Sequence, residues 1–133
     1  MVIDTSALIC ILLNEPEANM FAKAISNDNK RLLSVMSLLE SAIVIECKKG
    51  PAGGRELDLL VHSASLDVVA MTAEQTHIAR HAYRKFGKGK HPAALNLGDC
   101  CSYALSRYSE EPLLFKGDDF SKTDIVRVRH LPV

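Results

Sequence analysis

The sequence of 133 residues contains no tryptophan, no low-complexity tract and no apolar run near the ~20 residues that a membrane-spanning helix needs. Nothing at its start has the pattern of a signal peptide. We therefore expect no membrane-spanning helix. With 47% apolar and 24% charged residues, the composition is typical of a globular protein, and the length predicts a single domain over residues 1–133.

Cysteine pairs of the kind that bind zinc or build a disulfide framework are also missing. The four cysteines form no CxxC pair: Cys10, Cys47, Cys100 and Cys101. His77 and His81 have the spacing of a helical metal site, but position 78 is an isoleucine, where HExxH chemistry needs a glutamate. We therefore expect reduced thiols, a soluble cytoplasmic protein and no zinc site.

An excess charge of either sign is absent too, since 16 basic residues balance 16 acidic ones. The whole molecule therefore creates no field that would attract nucleic acid. Locally the charges are uneven, because no acid occurs from Gln75 to Gly98. This stretch contains five cations: Arg80, Arg84, Lys85, Lys88 and Lys90. It predicts either a positive surface or simply a solvated helix face followed by a loop.

The first seven residues are the stretch around which the chain is organised. Val2 and Ile3 form a short apolar strand, Asp4 follows it, and Thr5 and Ser6 can open a helix. Because this strand starts at the initiator methionine, we expect no leader before it. In an open parallel sheet, residues that directly follow a strand lie at the edge where ligands bind. We therefore expect Asp4 to lie at a binding site.

Apolar strands and amphipathic helices alternate along the rest of the chain. Helices are predicted over 5–13, 16–25, 37–48, 55–63, 73–86 and 98–108, and strands over 30–35, 66–70, 112–115 and 125–128. Gly50, Gly53 and Gly54 are expected to separate two of the helices. Such alternation predicts an α/β fold, with a mostly parallel sheet covered on both faces.

Glu40 is the most informative single acid. On a helix its neighbours include Met36, Ile43 and Val44, so an ionisable group interrupts an apolar stripe. A buried carboxylate must be paired, neutralised or bound to a metal. The alternative is that Glu40 lies on an exposed face.

The other candidate acids each have a structural explanation. Asp4 and Asp99 can cap helices, and Asp118 and Asp119 belong to a Gly-Asp-Asp turn. Considered together, Asp4 and the Asp118/Asp119 pair follow strands that end at the same edge of a parallel sheet. Periodicity does not bring Asp99 to that edge.

Four segments, taken in order, resemble the PIN-domain ribonucleases, and most closely their VapC-type toxins. They are VIDTSAL at 2–8, Glu40 in its apolar helix, ALNLGDC at 94–100 and LLFKGDDF at 113–120. The resemblance covers essentially the whole chain. It implies a three-layer α/β/α sandwich and hydrolysis of RNA with Mg²⁺ or Mn²⁺.

The same resemblance implies roles for individual residues. Asp4 and Asp99 match the main metal ligands, Glu40 matches a helix-borne catalytic acid, and the fourth acid is Asp119 or Asp118. The family writes both Gly-x-Asp-Phe and Gly-Asp-Asp-Phe here, which slightly favours Asp119. Thr5, Ser6 and Thr123 match polar residues that surround the acids. The cations between residues 80 and 90 are then candidates to hold the RNA backbone.

The resemblance also implies partners: an antitoxin that covers the acidic pocket, and a second copy of the chain packed on the apolar helix surface at 36–47. The main alternative is a PIN domain with little catalytic activity that binds RNA or protein. A phosphotransferase with Asp4 as nucleophile would show DxDxT, but Ser6 occupies the place of the second aspartate. A receiver domain would carry an aspartate after the strand at 66–70, where Met71 and Thr72 stand instead.

Overall fold

The computed structural model describes residues 1–129 and 131. Within these residues, four strands form one parallel sheet in the order β3-β2-β1-β4. The strands are β1 (Val2–Ile3), β2 (Leu32–Ser34), β3 (Asp67–Val69) and β4 (Leu113–Leu114). Val2 is the register partner of both Leu32 and Leu113, so β1 occupies an interior position.

Six α-helices surround the sheet in this part of the chain, and the short 3₁₀ helix Phe120–Lys122 follows β4. The α-helices are α1 (Thr5–Leu12), α2 (Ala18–Asn27), α3 (Val35–Lys49), α4 (Pro51–Ser63), α5 (Ala73–Phe86) and α6 (Leu97–Ser109). In these residues, no helix has the length and apolar character needed to span a membrane.

Consecutive strand residues pack into two separate cores. Ile3 and Leu33 pack with residues of α1 to α4, whereas Val2 and Leu32 pack with residues of α5 and α6. This follows from strand geometry, in which successive side chains point to opposite faces of a sheet. The predicted α/β fold with a sheet covered on both faces is therefore confirmed.

The expected glycine break between α3 and α4 is confirmed at Gly50, which lies between the two helices with a φ of +65°, but was wrong for Gly53 and Gly54. Helix α4 begins at Pro51 and includes Gly53 and Gly54. A Cβ atom on Gly53 would lie 2.7 Å from the carbonyl oxygen of Ile45 in α3. These glycines therefore allow α3 and α4 to approach closely, and this packing overrides their low helix propensity.

The other bounds of helices and of strands β2 to β4 differ by at most two residues, and α5 has the predicted bounds. Helix α2 begins at Ala18 rather than at Pro16, which lies in a turn. The strand expected at 125–128 is reduced to one parallel bridge, between Arg127 and Leu113. Leu113 N nevertheless donates to Val126 O at 2.8 Å, and Val128 N donates to Leu113 O at 3.0 Å.

Candidate active site

Asp4 directly follows β1 and is 3% exposed. Its Oδ2 accepts a hydrogen bond from Ser6 N at 3.0 Å and so caps α1. Its Oδ1 accepts one from Ser102 Oγ, in α6, at 2.6 Å. Both oxygens are thus oriented by donors, as expected of a buried polar group.

Three buried hydroxyl residues surround Asp4. Ser102 Oγ lies 3.1 Å from Ser37 Oγ in α3, and Thr5 Oγ1 donates to Ser37 O at 3.3 Å. Ser37 and Ser102 are 0% exposed. These contacts connect α1, α3 and α6 at the position of Asp4, so they fix the helices that carry the other acids.

Asp99 lies in the first turn of α6 and forms a capping box with Asn96. Asn96 N donates to Asp99 Oδ2 at 3.0 Å, and Asp99 N donates to Asn96 Oδ1 at 2.9 Å. Burial is the largest cause that raises the pKa of Asp99, and together with the charges of Asp4, Glu40 and Asp119 it brings this pKa to about 6, against the hydrogen bond from Asn96, which lowers it. The charges that act on Asp99 therefore come from three other segments: the residue after β1, α3 and the turn after β4.

Glu40 is half-buried, and its carboxylate rests against the backbone of Gly98. A Cβ atom on Gly98 would lie 2.3 Å from Glu40 Oε2 and 2.5 Å from Oε1, far inside van der Waals contact. The missing side chain at position 98 thus provides the space that Glu40 occupies beside Asp99.

Asp118 and Asp119 follow β4 in a turn in which Gly117 has a φ of +96°. Both aspartates are exposed. Asp119 is one of the three carboxylates whose charge raises the pKa of Asp99, and Asp118 is not. The structure therefore favours Asp119 as the fourth member of the cluster.

Asp119→Asn is expected to lower the rate of RNA cleavage by ~10-fold or more, because it removes a carboxylate from the cluster. Asp118→Asn removes the same charge from the neighbouring position and is expected to stay within about twofold of the wild type. Cleavage rates of the two variants at equal protein concentration test this difference. Equal losses in both would contradict the choice between them.

The hydroxyl groups of Ser6 and Thr123 form their hydrogen bonds with backbone groups rather than with the acids. Ser6 Oγ accepts a hydrogen bond from Lys116 N at 2.9 Å, which joins the start of α1 to the end of β4. Thr123 Oγ1 donates to Phe120 O at 2.6 Å and accepts from Ile125 N at 3.2 Å. Thr123 therefore closes the turn that follows Asp119.

The cluster offers oxygen donors and no thiolate. Burial, followed by the charge of Asp99, raises the pKa of Cys100 to about 11, and burial followed by the charge of Glu40 raises that of Cys101. Both thiols are therefore protonated near neutral pH.

Among residues 1–129 and 131, no three acidic, histidine or cysteine side chains lie close enough to share one ion as they stand. An all-oxygen set of mutually repelling carboxylates nonetheless matches the preference of hard cations such as Mg²⁺.

Without metal, the raised pKa of Asp99 predicts how stability depends on pH. Below the ordinary pKa of 3.8, Asp99 is protonated in both the folded and the unfolded state. As the pH rises through about 6 the folded protein must ionise it against burial and neighbouring charge, and stability is lost. Asp99→Asn should therefore stabilise the metal-free protein by about 1–3 kcal/mol at pH 7.5 and by about a third of that at pH 4.5. Melting temperatures in EDTA at both pH values check this, and a difference that does not change with pH would contradict it.

The cations of the acid-free stretch separate into two groups. Arg80, Arg84 and Lys88 line a groove of about 640 Å³ beside the start of α6. Lys85 instead lies 3.9 Å from Asp124, and its Nζ is 5.2 Å from the centre of the Phe86 ring. Three of the five predicted cations therefore share one groove.

Residues 1–126 match the family model of the PIN domain. Ribonuclease VapC30 of Mycobacterium tuberculosis is 56% identical over 128 residues, which cover 96% of this chain and 98% of the relative. The chain belongs to the VapC ribonucleases of the PIN-domain family. The Ribonuclease VapC of Mycolicibacterium smegmatis is 55% identical, with 96% of this chain and 99% of the relative covered. The predicted family is therefore confirmed.

Solved structures share the fold of this VapC ribonuclease. The crystal structure of Mycobacterium tuberculosis VapC20, described as a sarcin-ricin loop cleaving toxin, has a TM-score of 0.77 at 17% identity and covers 97% of this chain and 98% of its own. A toxin-antitoxin complex from Klebsiella pneumoniae has a TM-score of 0.73 at 14% identity, with 97% of both chains covered. These similarities confirm the three-layer α/β/α sandwich.

Three residues at the site of this VapC ribonuclease have roles that the sequence analysis missed: Ser37, Ser102 and Gly98. Ser37 stands three residues before Glu40, and Ser102 three residues after Asp99. On a helix this spacing brings side chains to neighbouring positions. This spacing is the sequence signal that could have identified Ser37 and Ser102. It is a weak signal, because a buried serine cannot otherwise be distinguished from a small packing residue.

Ser102→Ala is expected to reduce cleavage by about 10- to 100-fold, since residues that orient a metal ligand have effects of this size. The variant removes the 2.6 Å hydrogen bond to Asp4 Oδ1. Ser106→Ala is the matched control, because Ser106 lies one turn later in α6, is also buried, and donates to Glu111 O at 2.6 Å, away from the acids. Both variants should lose about 1 kcal/mol of stability. Only Ser102→Ala should lose activity, so equal activity would contradict the orienting role of Ser102.

Proposed function

We propose that this VapC ribonuclease is a metal-dependent endoribonuclease and the toxin of a VapBC-type toxin–antitoxin pair, acting on RNA in the cytoplasm. The observation that carries the proposal is that acids of separate segments lie near the start of α6: Asp4 accepts a hydrogen bond from Ser102 of α6, and Glu40 of α3 rests on Gly98, next to Asp99. The names of relatives that are 55–56% identical over nearly the whole chain support the ribonuclease activity. The alternative of a weakly catalytic binding module is not favoured, because every acid position of the motif is retained.

Carboxylates grouped at one site repel one another, and this repulsion is relieved when they take up protons or bind a cation. Two carboxylates ~4 Å apart repel by about 4 kcal/mol at an effective dielectric near 20. We assign Asp4 and Asp99 as the residues that would hold Mg²⁺ or Mn²⁺. A bound cation of this kind lowers the pKa of water and stabilises charge on phosphate oxygens.

The chain's own groups do the rest of the chemistry. Glu40 is held against Gly98 and accepts the proton of the attacking water on a carboxylate oxygen. Asp119, which is exposed to solvent, supplies the fourth carboxylate of the site. The hydrogen bonds from Ser6 and Ser102 keep Asp4 in one orientation while substrate enters. Arg80, Arg84 and Lys88 attract the RNA backbone, a contact that weakens with salt.

We further propose two protein partners. One is an antitoxin that covers the acidic site, as suggested by the related fold in a toxin-antitoxin complex. The other is a second copy of this chain, packed on α3. Val35, Leu39 and Ile43 lie four residues apart on that helix and are 39%, 54% and 56% exposed. Such an exposed apolar stripe is typical of a contact surface.

The function is tested by incubating antitoxin-free protein with a mixed pool of structured RNA. Cleavage is followed with Mg²⁺, with Mn²⁺ and with EDTA, beside an Asp99→Asn variant as control. Products that require a divalent cation and the intact Asp99 support the proposal. Cleavage that persists in EDTA, or in the variant, would point to a contaminating nuclease or to another mechanism. Folded protein that binds RNA but never cleaves it would favour the binding module.

A further inference from the structure

Helix α6 carries one acid of the site and orients a second. Asp99 lies in its first turn, and Ser102 Oγ donates to Asp4 Oδ1 at 2.6 Å. The next residue of the helix, Tyr103, donates its hydroxyl to Asp124 Oδ1 at 2.7 Å. Because successive residues of a helix point about 100° apart, these two donors reach different segments of the chain.

Tyr103 is a firmly placed donor. The residue is 4% exposed, and its ring packs against that of Phe86 with the ring centres 6.0 Å apart. A buried phenol needs a hydrogen-bond partner. Burial, followed by the hydrogen bond and the charge of Asp124, raises the pKa of Tyr103 to about 12, so the hydroxyl keeps its proton. The contact with Asp124 is therefore a hydrogen bond of the stronger, charge-assisted kind.

Two cations also lie near Asp124, but their contacts are weaker. Lys85 Nζ is 3.9 Å and Arg107 Nη1 is 4.0 Å from Asp124 Oδ2. Asp124 is 44% exposed, and both cations are more exposed than that. Ion pairs that are so accessible to water contribute little to stability. The hydroxyl of Tyr103 is therefore the main contact that holds Asp124 against α6.

Asp124 ends a compact turn that begins at Asp119, and we call residues 119–124 the Asp119 turn. Lys122 N donates to Asp119 O at 3.2 Å, and Thr123 N donates to Phe120 O at 3.0 Å. Phe120 is 3% exposed, so this turn is also attached to the core. Because the hydrogen bonds link its residues, a displacement of Asp124 shifts the backbone at Asp119 as well.

The carboxylate of Asp119 depends on that backbone for its position. Asp119 is the N-cap of the 3₁₀ helix but makes no side-chain capping hydrogen bond there. On the other side of the turn, Lys116 N donates to Ser6 Oγ at 2.9 Å, and Lys116 Nζ lies 3.0 Å from Glu17 Oε2. The segment that carries Asp119 is thus attached at both ends, to α1 through Lys116 and to α6 through Asp124.

We propose that Tyr103 is a positioning residue of the active site, which holds the Asp119 turn against α6 through its hydrogen bond to Asp124. The inference rests on the proposed ribonuclease function, and it adds two residues that act through Asp119. Helix α6 thereby carries one acid and orients two others through consecutive side chains, Ser102 and Tyr103. The competing role is purely structural, namely attachment of residues 125–128 to the fold.

Tyr103→Phe removes the hydroxyl and keeps the packed ring. It should lower the rate of RNA cleavage by about 5- to 10-fold, and by no more than Asp119→Asn does, because it misplaces the carboxylate without removing it. Tyr108→Phe is the matched control, since it removes the same atom from a tyrosine of α6 that is 45% exposed. That control should cleave like the wild type. Wild-type cleavage by Tyr103→Phe would overturn the inference.

A double-mutant cycle separates positioning from a purely structural role. If Tyr103 acts through Asp119, Tyr103→Phe should change the cleavage rate of an Asp119→Asn protein by less than about twofold. A purely structural role predicts the same loss in both backgrounds. That result would overturn the inference.

Two substitutions of Asp124 distinguish its hydrogen bond from its charge. Asp124→Asn keeps an oxygen that can accept from Tyr103, whereas Asp124→Ala removes it, and both remove the charge beside Lys85 and Arg107. Asp124→Asn should stay within about twofold of the wild type, and Asp124→Ala should lose as much activity as Tyr103→Phe. Equal losses in the two Asp124 variants would assign the effect to charge and contradict the role of Tyr103.

Hydrogen exchange of the metal-free protein in EDTA gives a measurement that does not depend on activity. Tyr103→Phe and Asp124→Ala should speed exchange in peptides of the Asp119 turn by about threefold or more and leave β1 unchanged. Ser106→Ala removes another hydrogen bond of α6, to Glu111 O, and should leave the turn unchanged. Unaltered exchange in the turn, or faster exchange throughout α6, would overturn the inference. A wild-type protein that cleaves no RNA would reject the ribonuclease function, whereas the exchange rates would still decide whether Tyr103 holds the turn.

Discussion

Asp99→Asn is expected to lower the rate of RNA cleavage by more than ~100-fold and to leave a folded protein. The loss exceeds the ~10- to 100-fold effect typical of residues that only orient a metal ligand, because Asp99 is assigned as a ligand itself. Fold is preserved because an asparagine carbonyl can accept the same hydrogen bond from Asn96 N that Asp99 Oδ2 accepts now. The capping box of α6 therefore survives the substitution.

Two measurements separate this effect from damage to the structure. The first is a thermal unfolding scan in EDTA near pH 7.5, in which Asp99→Asn should melt at or above the wild-type temperature, because it relieves repulsion within the cluster. The second is metal binding followed by calorimetry, in which the variant should bind Mn²⁺ more weakly. Asp118→Asn carries the same charge change and should match the wild type in both. Wild-type cleavage by Asp99→Asn would remove Asp99 from the catalytic site.

The fold was predictable from the sequence because its signals are local. Apolar strands alternate with amphipathic helices, and the two faces of each strand fill different cores, as Ile3 and Val2 illustrate. The start of α4 was mispredicted for the opposite reason. Gly53 and Gly54 predict a break by propensity, but they are required by a contact with α3, which only the folded chain contains.

The site was predictable in part for the same reason. Asp4 and Asp119 follow strands, and strand ends meet at one edge of a parallel sheet whatever the remaining sequence does. Asp99 depends on how α6 packs against α3 and β1, a long-range arrangement that helical periodicity does not encode. From the sequence, only the resemblance to PIN-domain ribonucleases assigned Asp99 to the site. The hydroxyls of Ser37 and Ser102 had no signal apart from their spacing to the acids.

Gly98→Ala is the second substitution for which we expect a large effect, namely a loss of cleavage of at least ~10-fold. Gly98 has a negative φ within α6, so alanine fits its backbone and should by propensity stabilise the helix by ~1 kcal/mol. Its Cβ would, however, lie 2.3 Å from Glu40 Oε2. Glu40 must therefore withdraw from Asp99, which removes its carboxylate from the attacking water and cancels the expected gain in stability.

A second substitution on Glu40 shows whether this contact is the cause. Glu40→Asp shortens the side chain by one methylene, so Gly98→Ala should cost less in the Glu40→Asp background, and the double-mutant cycle should show coupling. Gly54→Ala is the control, because its Cβ would lie 2.8 Å from Oε1 of Glu46, another glutamate of α3 that is exposed and free to move. That variant should keep full activity. If Gly98→Ala cleaves RNA as fast as the wild type, Glu40 reaches its working position without resting on Gly98, and the close contact is incidental to catalysis.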